Sequence, residues 1–319
     1  MSYSPLLRNP HLLTIASHFW PSGLDQRRFR VESTRYATEP GVEVLVETQW
    51  PVRPPAGQVV MVHGLEGSSR SGYMKCMARA ALEAGLVAHR FNLRSCGGME
   101  RFVTTGYHSG MTSDLLAFLR QLREAGRGPF YLVGFSLGGN VVLKLAGELG
   151  EEAHGWIAGV CGISTPIDLA ACSRRLEEPP NRIYQRRFVR RLKRRIGRID
   201  PGVTGLSRVK TVWQFDDRIT APAFGFRDAA EYYETQSCLR FLDAIRVPAL
   251  LIQAQDDPVV PFELFERPQW SPNPFLELLV VEHGGHLGFL SRRRPRFWPG
   301  TAVVEWIQGS LRPSTCQPG

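Results

Sequence analysis

The chain has 319 residues, 43% of them apolar and 22% charged, with a formal charge of +9, the balance of a folded globular protein with a basic surface. No apolar run approaches the roughly 20 residues that span a bilayer, and Met1 to Arg8 lacks the long apolar centre of a secretory signal, so the expected location is cytoplasmic. Six cysteines (Cys76, Cys96, Cys161, Cys172, Cys238 and Cys316) stand apart with no C-x-x-C pair, which argues against a zinc knuckle or dithiol site and for reduced, mostly buried thiols.

Residues 28–36 and 42–50 read as two β-runs joined by Glu39-Pro40-Gly41, with Val42, Val44, Val46 and Thr48 alternating with Glu43, Leu45 and Glu47. Gln58-Val59-Val60-Met61-Val62 is continuously apolar, the pattern of a strand buried on both faces of a parallel sheet. Thereafter helices (72–84, 111–124, 137–149) alternate with strands (86–91, 130–135, 156–163). That alternation predicts a doubly wound, mostly parallel sheet. The rhythm stops after Ile163 and resumes at residues 249–253 and 275–281, with a final helix over 300–310. The interruption reads as a helical lid placed over the carboxyl edge of the sheet, where open α/β sheets bind ligands. The expected organisation is therefore a core over 1–164, a lid over 165–240 and the rest of the core over 241–319.

Much of the charge is local. Residues 186–198 hold eight arginines and lysines and no acid, and Arg292-Arg293-Arg294-Pro295-Arg296 forms a second cluster. As a helix, the first run puts Phe188, Leu192 and Arg195 on one face, and Arg191, Arg194 and Arg198 on another. Such a surface can attract anionic lipid headgroups, giving peripheral membrane contact, or it can be a solvated face. No nucleic-acid module accompanies it, so DNA or RNA is not an expected partner.

The chemistry centres on Gly134-Phe135-Ser136-Leu137-Gly138, set between a strand and a helix. A serine on so tight a turn needs small neighbours, which Gly134 and Gly138 provide, and its hydroxyl is lifted out of the sheet. The turn also aims the Leu137 N–H at the place where an oxyanion would form. A neutral hydroxyl is a poor nucleophile, so it needs a base and the base needs an orienting acid. His286 is the better-placed base, because Glu282-His283-Gly284-Gly285-His286 is a Gly-rich loop after the last strand; His283 is its local competitor. The acid should follow the preceding strand, where Asp257 stands before Pro258 and Asp256 is the alternative. Serine, acid and histidine then occur in the chain order this architecture uses. The Leu65 N–H, in the turn after the early strand, is the expected second oxyanion donor, with His63 serving the structure of that loop. There is no H-E-x-x-H and no G-x-G-x-x-G after the first strand, so neither a metal nor a dinucleotide cofactor is expected.

These residues resemble the α/β-hydrolase fold over nearly the whole chain. More narrowly, the chain resembles the YheT-type branch, related to the eukaryotic abhydrolase-domain lipases and esterases. The likeness is carried by Asn9-Pro10-His11-Leu12-Leu13-Thr14, His63-Gly64-Leu65-Glu66-Gly67-Ser68-Ser69, Asn92-Leu93-Arg94-Ser95-Cys96-Gly97-Gly98, the elbow with Gly139-Asn140 added, and Phe215-Asp216-Asp217-Arg218-Ile219-Thr220-Ala221-Pro222. The resemblance implies an eight-stranded-type sheet and ester hydrolysis through Ser136, Asp257 and His286, with acyl esters or lipids as substrates. The expected activity is a serine carboxylesterase acting on short- to medium-chain acyl esters. The alternatives are an acyltransferase or thioesterase with the same residues, or a non-catalytic binding scaffold. Lid aromatics such as Phe188, Trp213, Phe215, Tyr232 and Tyr233 could line an acyl pocket or simply pack the lid onto the core.

Overall fold

A computed structural model describes residues 3–266 and 273–311 of the chain. Cys316, expected to be a buried thiol, lies outside them. Among the described cysteines, Cys96, Cys161, Cys172 and Cys238 are buried and Cys76 is half-buried, all as free thiols.

Eight strands form one sheet: β1 (Glu32–Glu39), β2 (Val42–Gln49), β3 (Gly57–Val62), β4 (Leu86–Phe91), β5 (Phe130–Phe135), β6 (Ile157–Ile163), β7 (Ala249–Ala254) and β8 (Leu276–Val281). Their spatial order is β1-β2-β4-β3-β5-β6-β7-β8. The β1–β2 and β2–β4 pairings are antiparallel, and every pairing from β3 to β8 is parallel. The first strand begins at residue 32 rather than 28. Asp25 explains the delay: its carboxylate accepts the N–H groups of Arg27 and Arg28, closing a turn that keeps this segment out of the sheet.

The apolar run of β3 serves two cores at once. Val60 and Val62 face the cluster that includes Leu115, Phe118, Val141 and Val142, whereas Val59 and Met61 face the cluster of Met74, Met77, Val303 and Ile307. Strand β5 divides the same way, Phe130 and Leu132 to one side and Tyr131, Val133 and Phe135 to the other. The period of two thus puts a hydrophobic layer on each face. Helices α2 (Gly72–Glu83), α3 (Ser113–Glu124) and α4 (Leu137–Leu149) cover these layers, as does a C-terminal helix, Trp298–Leu311.

Because β3 to β8 run in parallel, their carboxyl ends share one edge. The segments beginning at His63, Asn92, Ser136, Ser164, Gln255 and Glu282 all emerge there. Between β6 and β7 the described chain carries helices and turns only, among them α5 (Leu169–Glu177) and α6 (Arg182–Ile199). The basic run is therefore helical. Tyr184, Val189, Leu192 and Arg195 form the buried face of α6, packed on Leu176, Val209, Val212 and Phe215, while Arg186, Arg190, Arg194 and Arg198 are exposed.

Helix α1 (Pro10–Phe19), near the amino end, had no counterpart in the sequence reading. Asn9 caps it by accepting the Leu12 N–H at 2.9 Å, and Pro10 occupies the first helical position, where its missing N–H costs nothing.

Candidate active site

The turn between β5 and α4 holds Ser136 at φ 51°, a region L-residues seldom adopt. Its neighbours explain how this is sustained. A Cβ on Gly134 would come within 2.2 Å of the Gly138 carbonyl oxygen, and a Cβ on Gly138 within 2.2 Å of the Val62 carbonyl oxygen. Gly139 is equally confined, by the Thr165 hydroxyl at 2.1 Å from such a Cβ. Three glycines therefore let β3, β5 and α4 approach closely enough to hold the strained serine.

Ser136 Oγ lies 2.9 Å from His286 Nε2. On the far side of the ring, His286 Nδ1 lies 3.1 and 3.0 Å from the two oxygens of Asp257. The Asp257 carboxylate also accepts the N–H groups of Val259 and Val260 at 2.8 and 3.0 Å, and it is 3% exposed. Those amides fix the carboxylate's position, so an Nδ1–H has a ready acceptor and Nε2 faces the serine with a free lone pair.

Asp256 and His283, the competing residues, form a second pair alongside. His283 Nδ1 is 3.1 Å from one Asp256 oxygen, and the other oxygen accepts the N–H groups of Gly284 and Gly285, both at 2.8 Å. Asp256 thus braces the loop that carries His286 and does not contact the His286 ring. A second brace comes from α1. The His286 N–H donates to the Thr14 hydroxyl at 2.9 Å, and that hydroxyl donates to the Pro10 carbonyl at 2.7 Å. Asn9-Pro10, a capping residue followed by proline, was the signal in the sequence that a helix starts there; its contact with a loop more than 270 residues away carries no local signature.

Leu65 and Leu137 line the same cavity as Ser136. Among the described residues, neither of their N–H groups donates to any acceptor. The loop carrying Leu65 is pressed against the serine, since a Cβ on Gly64 would stand 3.0 Å from Ser136 Cβ. His63 holds that loop. Its Nε2 accepts the Leu93 N–H at 3.1 Å, which leaves the proton on Nδ1 to donate to the Gly64 carbonyl at 2.8 Å. Full burial pushes the His63 imidazole down to about 4, so it stays neutral.

The cavity has an empty volume of about 700 Å³. Leu65, Leu169, Leu176, Phe188, Leu192 and Val212 give it a largely apolar wall. Of the aromatics expected over it, Phe188, Tyr232 and Tyr233 line it, whereas Trp213 and Phe215 pack within the insert. One part of the wall is polar: Asp216 accepts the Thr220 hydroxyl and the Tyr233 hydroxyl, both at 2.6 Å. Burial raises the Asp216 carboxyl to about 6, with those two hydrogen bonds opposing the shift. Asp216 begins a short π-helical turn, Asp216–Thr220, a local irregularity that proteins often keep beside functional cavities.

Arg195 of α6 reaches the loop after Leu65. Its Nε donates to Glu66 at 2.7 Å, one of its terminal nitrogens donates to Ser95 Oγ at 3.0 Å, and its guanidinium stacks 4.4 Å above the Tyr107 ring. Arg195 and Glu66 are both buried. The basic run is thus anchored through one of its own arginines, the one that helical spacing sets on the face of Phe188 and Leu192.

A serine on a strained strand-to-helix turn thus meets an imidazole and a carboxylate brought to it from the ends of later parallel strands. Residues 57–292 match the family described as alpha/beta hydrolase fold, and the chain belongs to that family. It is 34% identical to YheT of Escherichia coli over 286 residues, covering 85% of this chain and 83% of that protein, which sets it in the YheT-type branch. It is also 29% identical to a monoacylglycerol lipase of Saccharomyces cerevisiae, over 78% of this chain and 58% of the yeast protein. Among solved structures, 2,6-dihydroxy-pseudo-oxynicotine hydrolase superposes with a TM-score of 0.61 at 19% identity, over 88% of this chain and 68% of that one, a likeness of fold. The chain is an α/β hydrolase of the esterase and lipase type. Among the described residues, no helix is long and apolar enough to cross a membrane.

Proposed function

We propose that the protein is a serine carboxylesterase that cleaves short- to medium-chain acyl esters through an acyl-enzyme. The observation that carries this reading is the continuous line from Ser136 Oγ to His286 Nε2 at 2.9 Å and from His286 Nδ1 to Asp257 at 3.0 Å. In the proposed reaction, Ser136 Oγ attacks the acyl carbonyl while His286 Nε2 takes its proton. Asp257 stabilises the resulting imidazolium and keeps the ring oriented. The Leu65 and Leu137 N–H groups, which have no acceptor among the described residues, donate to the tetrahedral oxyanion. The imidazolium then protonates the departing alcohol, leaving the acyl group on Ser136. Water attacks this ester with the same histidine as base, and the carboxylic acid leaves.

The mostly apolar cavity beside Ser136 suits an acyl chain. The Asp216, Thr220 and Tyr233 group in its wall disfavours chains long enough to be pressed against it, because a buried carboxyl and hydroxyls offer a hydrocarbon nothing in return. Together with the acylglycerol named for the yeast relative, this supports small acylglycerols and similar esters as substrates. The test is hydrolysis of p-nitrophenyl esters of graded chain length by the native protein and by Ser136→Ala. The expected result is turnover highest at short to medium length and abolished in the variant. Undiminished turnover by a folded Ser136→Ala protein would refute the reading.

A further inference from the structure

A second cleft opens on the other side of Arg195, with an empty volume of about 840 Å³. Arg70, Arg191, Arg194, Arg195 and Arg198 line it, against Glu66 and Glu100. The positive charge is only partly neutralised. Glu66 is committed to Arg195 at 2.7 Å and Glu100 to Arg198 at 3.0 Å. Glu47, the partner of Arg70 at 3.4 Å, is already held by the buried Arg90 at 2.8 Å. Arg191 and Arg194, one turn apart on α6, have no acidic partner among the described residues.

The opposite wall supplies neutral donors. Gly97 and Gly98 both have positive φ, at 72° and 97°, and among the described residues their N–H groups reach no acceptor. Nothing lies within 4 Å of the position a Cβ on Gly98 would take, so a ligand can come up against the backbone there. Backbone amides without a partner can donate to an anion, and guanidinium groups bind phosphate oxygens in pairs. Convergence of like charges costs energy that a bound dianion relieves, and a single carboxylate would satisfy only part of this donor set.

We propose that this cleft binds a phosphoryl group, carried either by a small soluble phosphate or by a lipid headgroup. Arg191 and Arg194 supply the charge, and the Gly97-Gly98 backbone supplies the directional hydrogen bonds. The cleft shares Arg195 with the Ser136 cavity, and the step from Leu65 to Glu66 passes from one to the other. The proposal stands whether or not Ser136 is a nucleophile.

Two measurements on the full chain test it, both made at constant ionic strength. In the first, inorganic phosphate is titrated calorimetrically. In the second, sedimentation compares phosphatidylcholine vesicles with and without phosphatidate. Each is repeated with Arg191→Gln/Arg194→Gln and with Arg186→Gln/Arg190→Gln, which removes the same charge from exposed positions of α6 outside the cleft. Saturable binding in either arm, weakened at least about tenfold by the first pair and far less by the second, is expected, since only the first pair removes charge-assisted hydrogen bonds within the cleft. Binding of free phosphate alone identifies a soluble ligand, and phosphatidate-dependent sedimentation identifies a headgroup. No binding in both arms, or equal loss with both variant pairs, would overturn the proposal.

Discussion

Thr14 and His286 are 272 residues apart in sequence and joined by a single hydrogen bond, 2.9 Å from the histidine N–H to the threonine hydroxyl. Helix α1 therefore positions the imidazole through its backbone and leaves both ring nitrogens free for Asp257 and Ser136. Thr14→Val keeps the side-chain shape and deletes the acceptor. A lost hydrogen bond of about 1 kcal/mol or somewhat more predicts roughly a tenfold fall in kcat, with KM nearly unchanged. Steady-state kinetics on a p-nitrophenyl ester checks this, and a KM effect with normal kcat would contradict a positioning role.

The two neighbouring aspartates should separate cleanly. Asp257→Asn presents an amide where the imidazole needs an acceptor, and loss of an orienting acid in such sites costs about 10⁴-fold in kcat. Asp256→Asn retains an oxygen for the Gly284 and Gly285 amides, so the expected loss is under about tenfold. Side-by-side kcat values decide it, and the reverse ranking would move the acid role to Asp256.

Gly138→Ala would drive a methyl group to within 2.2 Å of the Val62 carbonyl, a contact with backbone that cannot swing aside. We expect a stability loss of at least about 3 kcal/mol, or failure to fold, since relieving the clash means separating β3 from α4. Urea unfolding measures it. Gly205→Ala, at a surface turn with φ 76° and nothing within 4 Å of the new methyl, carries backbone strain without a clash and should cost far less.

Stability should fall as pH drops from 7 to 5. His63 and His89 are fully buried and neutral, held down to about 4 and about 3 by desolvation. Their folded-state values lie below the unfolded value, so the unfolded chain binds protons first and stability is lost below about pH 6.5. At pH 5 each costs about 2 kcal/mol. Asp216 has the opposite sign. Its carboxyl is raised to about 6, so the folded state binds the proton first and regains stability as pH falls through 6. That return is about 1 kcal/mol by pH 5, too small to offset the histidines. Denaturation midpoints at pH 7 and 5 should show the net fall, and Asp216→Asn should steepen it.

The strand rhythm from β3 to β8 was legible because both faces of the parallel sheet are buried, which writes the strands as unbroken apolar runs. The glycines around Ser136 were legible for a similar reason, since a close backbone approach leaves a compositional trace. The preference for Asp257 over Asp256 and for His286 over His283 rested on Pro258 and on the glycines before His286, whereas the pairing of Asp256 with His283 was hidden, because it depends on where two separate loops turn. The Arg195–Glu66 pair was hidden in its partner: helical spacing set Arg195 beside Phe188 and Leu192, but Glu66 lies 129 residues away. Helix α1 was different, since Asn9-Pro10 did carry a start signal. Its short length and mixed polarity gave the segment little periodic support.

Asn140, one turn into α4, has its side chain fully committed. Its Nδ2 donates to the carbonyls of Ser109 and Gln236 at 3.0 and 2.9 Å, and its Oδ1 accepts the Cys238 N–H at 2.7 Å. The stretch at 236–238 is thereby riveted to the helix that starts at Ser136, and swinging it outward would strand three buried polar groups at once. A bulky guest therefore gains no room at this margin unless those polar groups lose their partners.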